Sequence, residues 1–188
     1  LVYRAKTLGM QSVALTDTNR MSGLILFYLE CVQQGIKPIL GVELTNPREP
    51  GEHIVLLAKN AEGYGDLCEV ITYRHLDPHF SFSRVFEKEW PNLFFFTSFP
   101  HLLELMAATP NRANLYGELI NNSELTRNRS RVLEQKAGTL GVPLIVSNNS
   151  YFLESSEWDL HRTLTAIGLS STLSRLEPDE IASKNAYF

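Results

Sequence analysis

The chain has 188 residues, enough for one domain with a full hydrophobic core. It is 44% hydrophobic and 20% charged, which excludes a disordered chain, and its formal net charge of −4 argues against an overall phosphate-gripping surface. Its apolar runs are too short for a membrane span, and Cys31 and Cys68 lack the spacing of a zinc site or a disulfide framework. Both cysteines read as buried, reduced thiols.

Leu1–Leu8 has apolar or small residues at helical spacing and is closed by Gly9, so it reads as a helix and not as a signal peptide. Ser12–Thr16 is a short buried strand, and Asp17–Asn19 a polar turn. Ser22 is the expected cap of a helix through Leu24, Phe27 and Val32 that Gly35 ends. Lys37–Leu44 is the next strand. Asn46–Glu52 is a loop rich in Pro, Gly and charge, and Ile54–Ala58 is a strand. A helix follows over Ala61–Tyr73, then a turn at Asp77–Pro78 and a short helix over Phe82–Lys88. Leu93–Thr97 is expected to be a strand buried on both faces, with no basic residue near its phenylalanines. Pro100–Ala108 is a helix with proline in its first turn. Leu115–Leu119 is a strand, Ser123–Leu140 a long helix closed by Gly141, and Leu144–Val146 the last strand. Ser155–Ile167 is helical, and Gly168–Phe188 is polar and turn-prone.

Strands alternating with helices predict an α/β fold with a mostly parallel sheet. Six strands fit a small barrel better than an open sheet. Because the chain opens inside a helix, a first strand is expected upstream. In such barrels chemistry gathers where strands end, which draws attention to Asp17, Thr18, Glu43, Ser98, Phe99, residues 119–121 and residues 148–151. His53 opens its strand and is the exception.

Four stretches carry a resemblance. ALTDTNRMSG (Ala14–Gly23) is similar to ALTDHGNLxG, and GIKPILGVE (Gly35–Glu43) to GIKPIxGxE. HIVLLAKNAEGYGDLC (His53–Cys68) is similar to HLxLLAKNxxGYxNL. LGVPLIVSNNSYFLESSEWDLHRTLTAI (Leu140–Ile167) follows LGxPLVATNDxHYLxxxDxxxHxxLxxI. These patterns belong to the PHP (polymerase and histidinol phosphatase) domain of bacterial C-family DNA polymerases, the DNA polymerase III alpha subunits. The resemblance covers most of the chain, in order. It implies a distorted (β/α)7 PHP barrel, here lacking its first strand, over residues 1–170. Residues 171–188 would then lead toward the next domain of a longer protein.

Active members of the family hydrolyse phosphoesters with a cluster of divalent metals. Mapped residue by residue, the resemblance implies remnant ligands at Glu43 and His53. The histidine of the TDH motif is Thr18, beside a retained Asp17. A ligating cysteine falls at Phe99, and the aspartate and histidine of the last motif are Asn149 and Tyr151. Asn148 and His161 are pocket neighbours, with His161 expected to hydrogen-bond between helix and loop, and Glu43 to hydrogen-bond inside the pocket to Tyr151 or His53. The family's H-x-H motif would precede Leu1.

The expectation is a non-catalytic structural domain of a replicative or error-prone polymerase, cytoplasmic, with no cofactor of its own and magnesium in the parent polymerase. Its expected partners are the remaining polymerase domains and a proofreading exonuclease subunit, with no direct nucleic-acid contact and no membrane. The alternatives are a phosphoesterase with a reduced site holding zinc or manganese, and a free-standing binding protein.

Overall fold

Strands and helices fall within a few residues of their predicted places. The computed structural model describes residues 1–47, 49, 51–177 and 180–188. Arg48 and Pro50 of the expected loop, and Pro178 and Asp179 of the tail, lie outside the described residues. Among those described, the strands are Ser12–Leu15 (β1), Lys37–Thr45 (β2), His53–Ala58 (β3), Leu93–Thr97 (β4), Leu115–Ile120 (β5) and Leu144–Ser147 (β6). The helices are Val2–Thr7 (α1), Leu24–Gln34 (α2), Ala61–Leu76 (α3), Phe82–Glu87 (α4), Pro100–Ala107 (α5), Glu124–Leu140 (α6) and Trp158–Gly168 (α7).

The strands form one sheet in chain order, β1 to β6, curled into a half-barrel with β1 and β6 at its edges. The sheet is mixed. β1–β2, β4–β5 and β5–β6 are parallel, whereas β3 runs antiparallel to both β2 and β4. The reason is local: among the described residues of 46–52 there is no crossover helix, and β2 turns straight back into β3. His53 therefore opens its strand at the end where β2 and β4 finish, paired with Thr45.

Strand alternation sorts side chains to the two faces. Val42, Leu44, Ile54, Leu56, Leu93, Phe95 and Leu115 face the helices. They pack with Phe86, Trp90, Leu103, Met106 and Leu133 into the main core. Each such fully buried side chain contributes on the order of 1.5–3 kcal/mol of hydrophobic free energy. The other face of the sheet is turned into the half-barrel, where Glu43, Val55, Leu57, Phe96, Glu118, Ile145 and Ser147 line a common cavity.

Helix ends follow ordinary capping chemistry. Asn60 accepts from Gly63 N–H, and Ser123 forms a reciprocal capping box with Thr126. Gly35 and Gly141 close α2 and α6 in left-handed conformation. At Gly63 a Cβ would lie 2.3 Å from the Asn92 carbonyl, so only glycine lets α3 approach β4 this closely.

Several expectations are corrected. Ser22 does not cap α2: the N-cap is Gly23, with no side-chain cap, and Leu24 N–H reaches the Met21 carbonyl instead. α3 runs three residues further, to Leu76. Cys31 is buried but Cys68 is exposed, because it lies on the outer face of α3. Phe94 is half-buried, with Lys59 Nζ 4.7 Å above its ring, a basic neighbour brought from a distant part of the chain. Among the described residues, no helix is long and apolar enough to cross a membrane.

Candidate functional site

The cavity inside the half-barrel, about 610 Å³, is lined along β1 and by residues of β2, β3, β4, β5 and β6 and of the loop that follows β6. Two buried carboxylates sit on its floor: Glu43 at 7% exposure and Glu118 at 6%. Cross-strand register places them. Glu43 pairs with Val55, Val55 with Phe96, and Phe96 with Tyr116; Glu118 stands two residues beyond Tyr116 and pairs with Ile145.

Residues 17–19 extend the sheet past β1. Glu43 N–H donates to the Asp17 carbonyl at 3.2 Å and Asn19 N–H to the Glu43 carbonyl at 2.7 Å, giving a Thr18–Glu43 bridge. Asn19 is held at a positive φ of 53° by its own amide, which exchanges hydrogen bonds with Thr45. This geometry brings the Thr18 hydroxyl onto Glu43 Oε1 at 2.8 Å. On the opposite wall the Tyr151 hydroxyl donates to Glu43 Oε2 at 3.4 Å. Ser147 Oγ donates to Glu118 Oε1 at 2.5 Å.

The electrostatics follow from burial. Loss of water raises the Glu118 carboxyl above the usual carboxylate range, and the Glu43 charge adds to this; the Ser147 hydroxyl and His53 oppose it. The Tyr151 phenol is likewise pushed up, first by desolvation and then by Glu43, with the Asn149 amide opposing. Although the Tyr151 side chain as a whole is 45% exposed, its hydroxyl end lines the cavity, and it is that end which feels the carboxylates. The phenol stays protonated and remains a donor.

Of the residues singled out from sequence, Asp17, Thr18, Glu43, Asn149 and Tyr151 meet in this cavity. Phe99 and His53 form a separate pair behind it, edge to face with ring centres 5.1 Å apart, and Arg129 lies 4.3 Å over the other aromatic partner, Phe99. His53 Nε2 is buried without a hydrogen-bond partner. Glu52 pairs with His101 at 2.6 Å rather than with its sequence neighbour His53. Asn148 and His161 turn toward the C-terminal tail: His161 Nε2 accepts from Ala182 N–H at 3.1 Å, a helix-to-loop bond. Asn149 adopts a positive φ of 47°, a conformation asparagine tolerates better than most residues.

Glu118 is the residue that sequence reasoning missed. Its signal is a lone acid inside the apolar strand LYGELI, where alternation gives it no solvent-facing option. Metal-ligand chemistry fits this donor set poorly. Glu43 already accepts from two hydroxyls and Glu118 from a third, and among the described residues no three His, Cys, Asp or Glu side chains converge on one point.

Similarity to known proteins agrees with this architecture. A family profile described as the PHP domain matches residues 1–140. DNA polymerase III subunit alpha of Pseudomonas fluorescens is 29% identical over 197 aligned residues, covering 89% of this chain and 16% of that protein. The same subunit of Xylella fastidiosa is 30% identical over 193 residues, again covering 89% and 16%. Error-prone DNA polymerase of Symbiobacterium thermophilum is 43% identical over 76 residues, 40% of this chain and 7% of that protein. The chain thus spans 16% of the length of the relatives that match it nearly end to end. With a profile match over most of its length and a curled six-stranded half-barrel, the chain belongs to the PHP domain family.

Proposed function

We propose that this is a non-catalytic, structural PHP domain of a bacterial replicative or error-prone DNA polymerase III alpha subunit, supporting DNA replication and subunit docking. The observation that carries the reading is the chemistry around Glu43. Thr18 and Tyr151 stand where the family pattern has histidines, and both donate O–H to the Glu43 carboxylate. A buried carboxylate satisfied by hydroxyls does not need a cation to balance its desolvation. The parent polypeptide would be a DNA-directed DNA polymerase that uses magnesium in other domains. Those domains and a proofreading exonuclease subunit are the proposed partners; the relatives' length supports the first of these.

Elemental analysis of the purified chain, with an aryl phosphate hydrolysis assay in zinc and in manganese, tests the reading. The expected result is far less than one ion per chain and no turnover above background. Stoichiometric metal that disappears in Glu43→Ala or His53→Ala would overturn it.

A second reading, a phosphoesterase with a reduced site, has one observation in its favour. His53 Nε2 is buried without a hydrogen-bond partner. Under this reading Glu118→Gln abolishes metal uptake; under the first there is none to abolish.

A further inference from the structure

The half-barrel is open between β1 and β6, yet residues 182–188 cross that seam. Tyr151 N–H donates to the Ala186 carbonyl and Phe188 N–H to the Phe152 carbonyl, each at 2.9 Å, forming a short parallel bridge between Phe152 and Tyr187. Asn148 Nδ2 and Ser150 Oγ both donate to the Tyr187 carbonyl, at 2.5 and 3.1 Å. Trp158 Nε1 donates to the Ala182 carbonyl at 3.0 Å, and Ala182 N–H to His161 Nε2 at 3.1 Å. Ser183 Oγ and Asn185 Nδ2 both donate to the Asn122 carbonyl, at 2.6 and 3.1 Å. At the far end Phe188 packs against the small apolar cluster that includes Val2, Val13 and Phe27. The segment therefore ties the loop after β6 to the elements around β1.

Two features distinguish it from core. The groove recognises mainly the segment's backbone, and Lys184, Asn185 and Tyr187 remain exposed. Side-chain-to-backbone bonds near solvent open locally at low cost. Its approach, residues 169–181, contains only turns and one 3-10 turn, Leu173–Arg175, among the described residues, so it can lift without breaking the sheet. Phe188 also lines the carboxylate cavity, beside Phe152 of the groove. When the strap lifts, Phe188 leaves that wall.

We propose that residues 182–188 are a releasable strap. The loop 148–152, with Asn122, Trp158 and His161, forms a groove for an extended peptide segment, filled here in cis. Release of the strap opens the cavity and exposes Glu43 and Glu118. The inference is independent of whether the cavity holds a metal.

The test uses the whole chain and two variants, Asn148→Ala and Phe188→Ala. Native-state amide exchange, acrylamide quenching and carbodiimide labelling of carboxylates are read together. Trp158 reports on the strap, while Trp90, at 1% exposure, serves as a silent control. In the unaltered chain the amides of Tyr151, Ala182 and Phe188 are expected to exchange at least about a hundredfold faster than those of β3 and β4. Each variant is expected to speed them by roughly a further tenfold while β3 and β4 stay unchanged. Trp158 quenching and labelling of Glu43 and Glu118 should rise in step. Strap amides that exchange only together with the sheet, in the unaltered chain, would overturn the proposal even if neither variant folds. Strap release without increased carboxylate labelling would overturn its gating role.

Discussion

On the β3–β5 side of the sheet, Leu56, Leu93, Phe95 and Leu115 are fully buried, and Phe86, Trp90, Leu103 and Met106 complete the layer behind them. On the β1/β6 side the edge strands have four residues each, Val146 is 79% exposed, and the interior holds two carboxylates and a ring of hydroxyls. One region is closed by apolar contact and the other by hydrogen bonds and a tail. The difference separates what holds the fold from what the family's chemistry would occupy. The wall is packed mainly from apolar side chains, whereas the seam surrounds its carboxylates with hydroxyls.

The largest effect should come from the wall. Phe95→Ala leaves a cavity among Phe86, Leu103 and their neighbours and is expected to cost about 3–5 kcal/mol in urea unfolding. Val146→Ala, on the exposed face of β6, should change stability by less than about 0.5 kcal/mol. Comparable costs at the two positions would break the contrast.

Next in size is repopulation of the seam. Restoring the family pattern through Thr18→His, Phe99→Cys, Asn149→Asp and Tyr151→His should produce stoichiometric zinc or manganese binding. Metal at a hundredfold excess over Kd would then raise stability by about 2.7 kcal/mol, seen as a metal-dependent shift in Tm. A folded variant that takes up no metal would mean that the cavity is not a lapsed metal site.

Glu118→Gln probes burial of charge in the same cavity. The folded-state pKa of Glu118 is raised, chiefly by desolvation. Its protonated form is therefore favoured by folding: the stability linked to it is complete below the ordinary glutamate value of about 4.3 and is lost as pH rises through the folded pKa. Glutamine keeps an acceptor for Ser147 Oγ but carries no charge to desolvate. The variant should be more stable than the unaltered chain at pH 7.5, with the advantage closing as pH falls through the folded pKa toward the ordinary glutamate value of about 4.3. Parallel pH profiles would show that Glu118 carries no strain of desolvation.

Much of this was legible in the sequence. Apolar runs bounded by Gly, Pro and Asn gave every described strand to within a residue or two, since burial patterns are written locally. Strand direction was not: HIVLLA reads the same parallel or antiparallel, and only its partners Gly41–Thr45 and Leu93–Phe96 decide. Attention to strand ends found Thr18, Glu43 and Tyr151 but passed over Glu118, which sits inside its strand. Cys68 was misplaced because α3 has apolar residues around most of its circumference. The tail was read as polar and turn-prone because its order comes from groups 21 and 61 residues away, the His161 ring and the Asn122 backbone carbonyl, and leaves no periodic trace.

The smallest expected effect concerns one end of that tail. His161 Nε2 accepts from Ala182 N–H, and its ring lies between Tyr151 and Phe152, with centres 5.6 and 5.7 Å away. A protonated imidazole has no lone pair to accept with, and burial lowers the His161 pKa. The linked stability is therefore fully present above the ordinary histidine value of about 6.5 and is lost as pH falls from there through the folded pKa. This sign is opposite to that of Glu118, so the two contributions are separable by comparing single variants with the double. His161→Gln retains an acceptor for Ala182 N–H but does not titrate. Between pH 7.5 and 5 the unaltered chain should lose more stability than this variant, by a modest amount because His161 is partly exposed and solvent screens it. Trp158 fluorescence should follow the same curve, since its indole holds the Ala182 carbonyl beside the His161 bond. If the two proteins keep identical pH slopes and Trp158 is silent, the seam is closed by Phe188 and Asn148 alone, and the histidine is a bystander in the contrast between wall and seam.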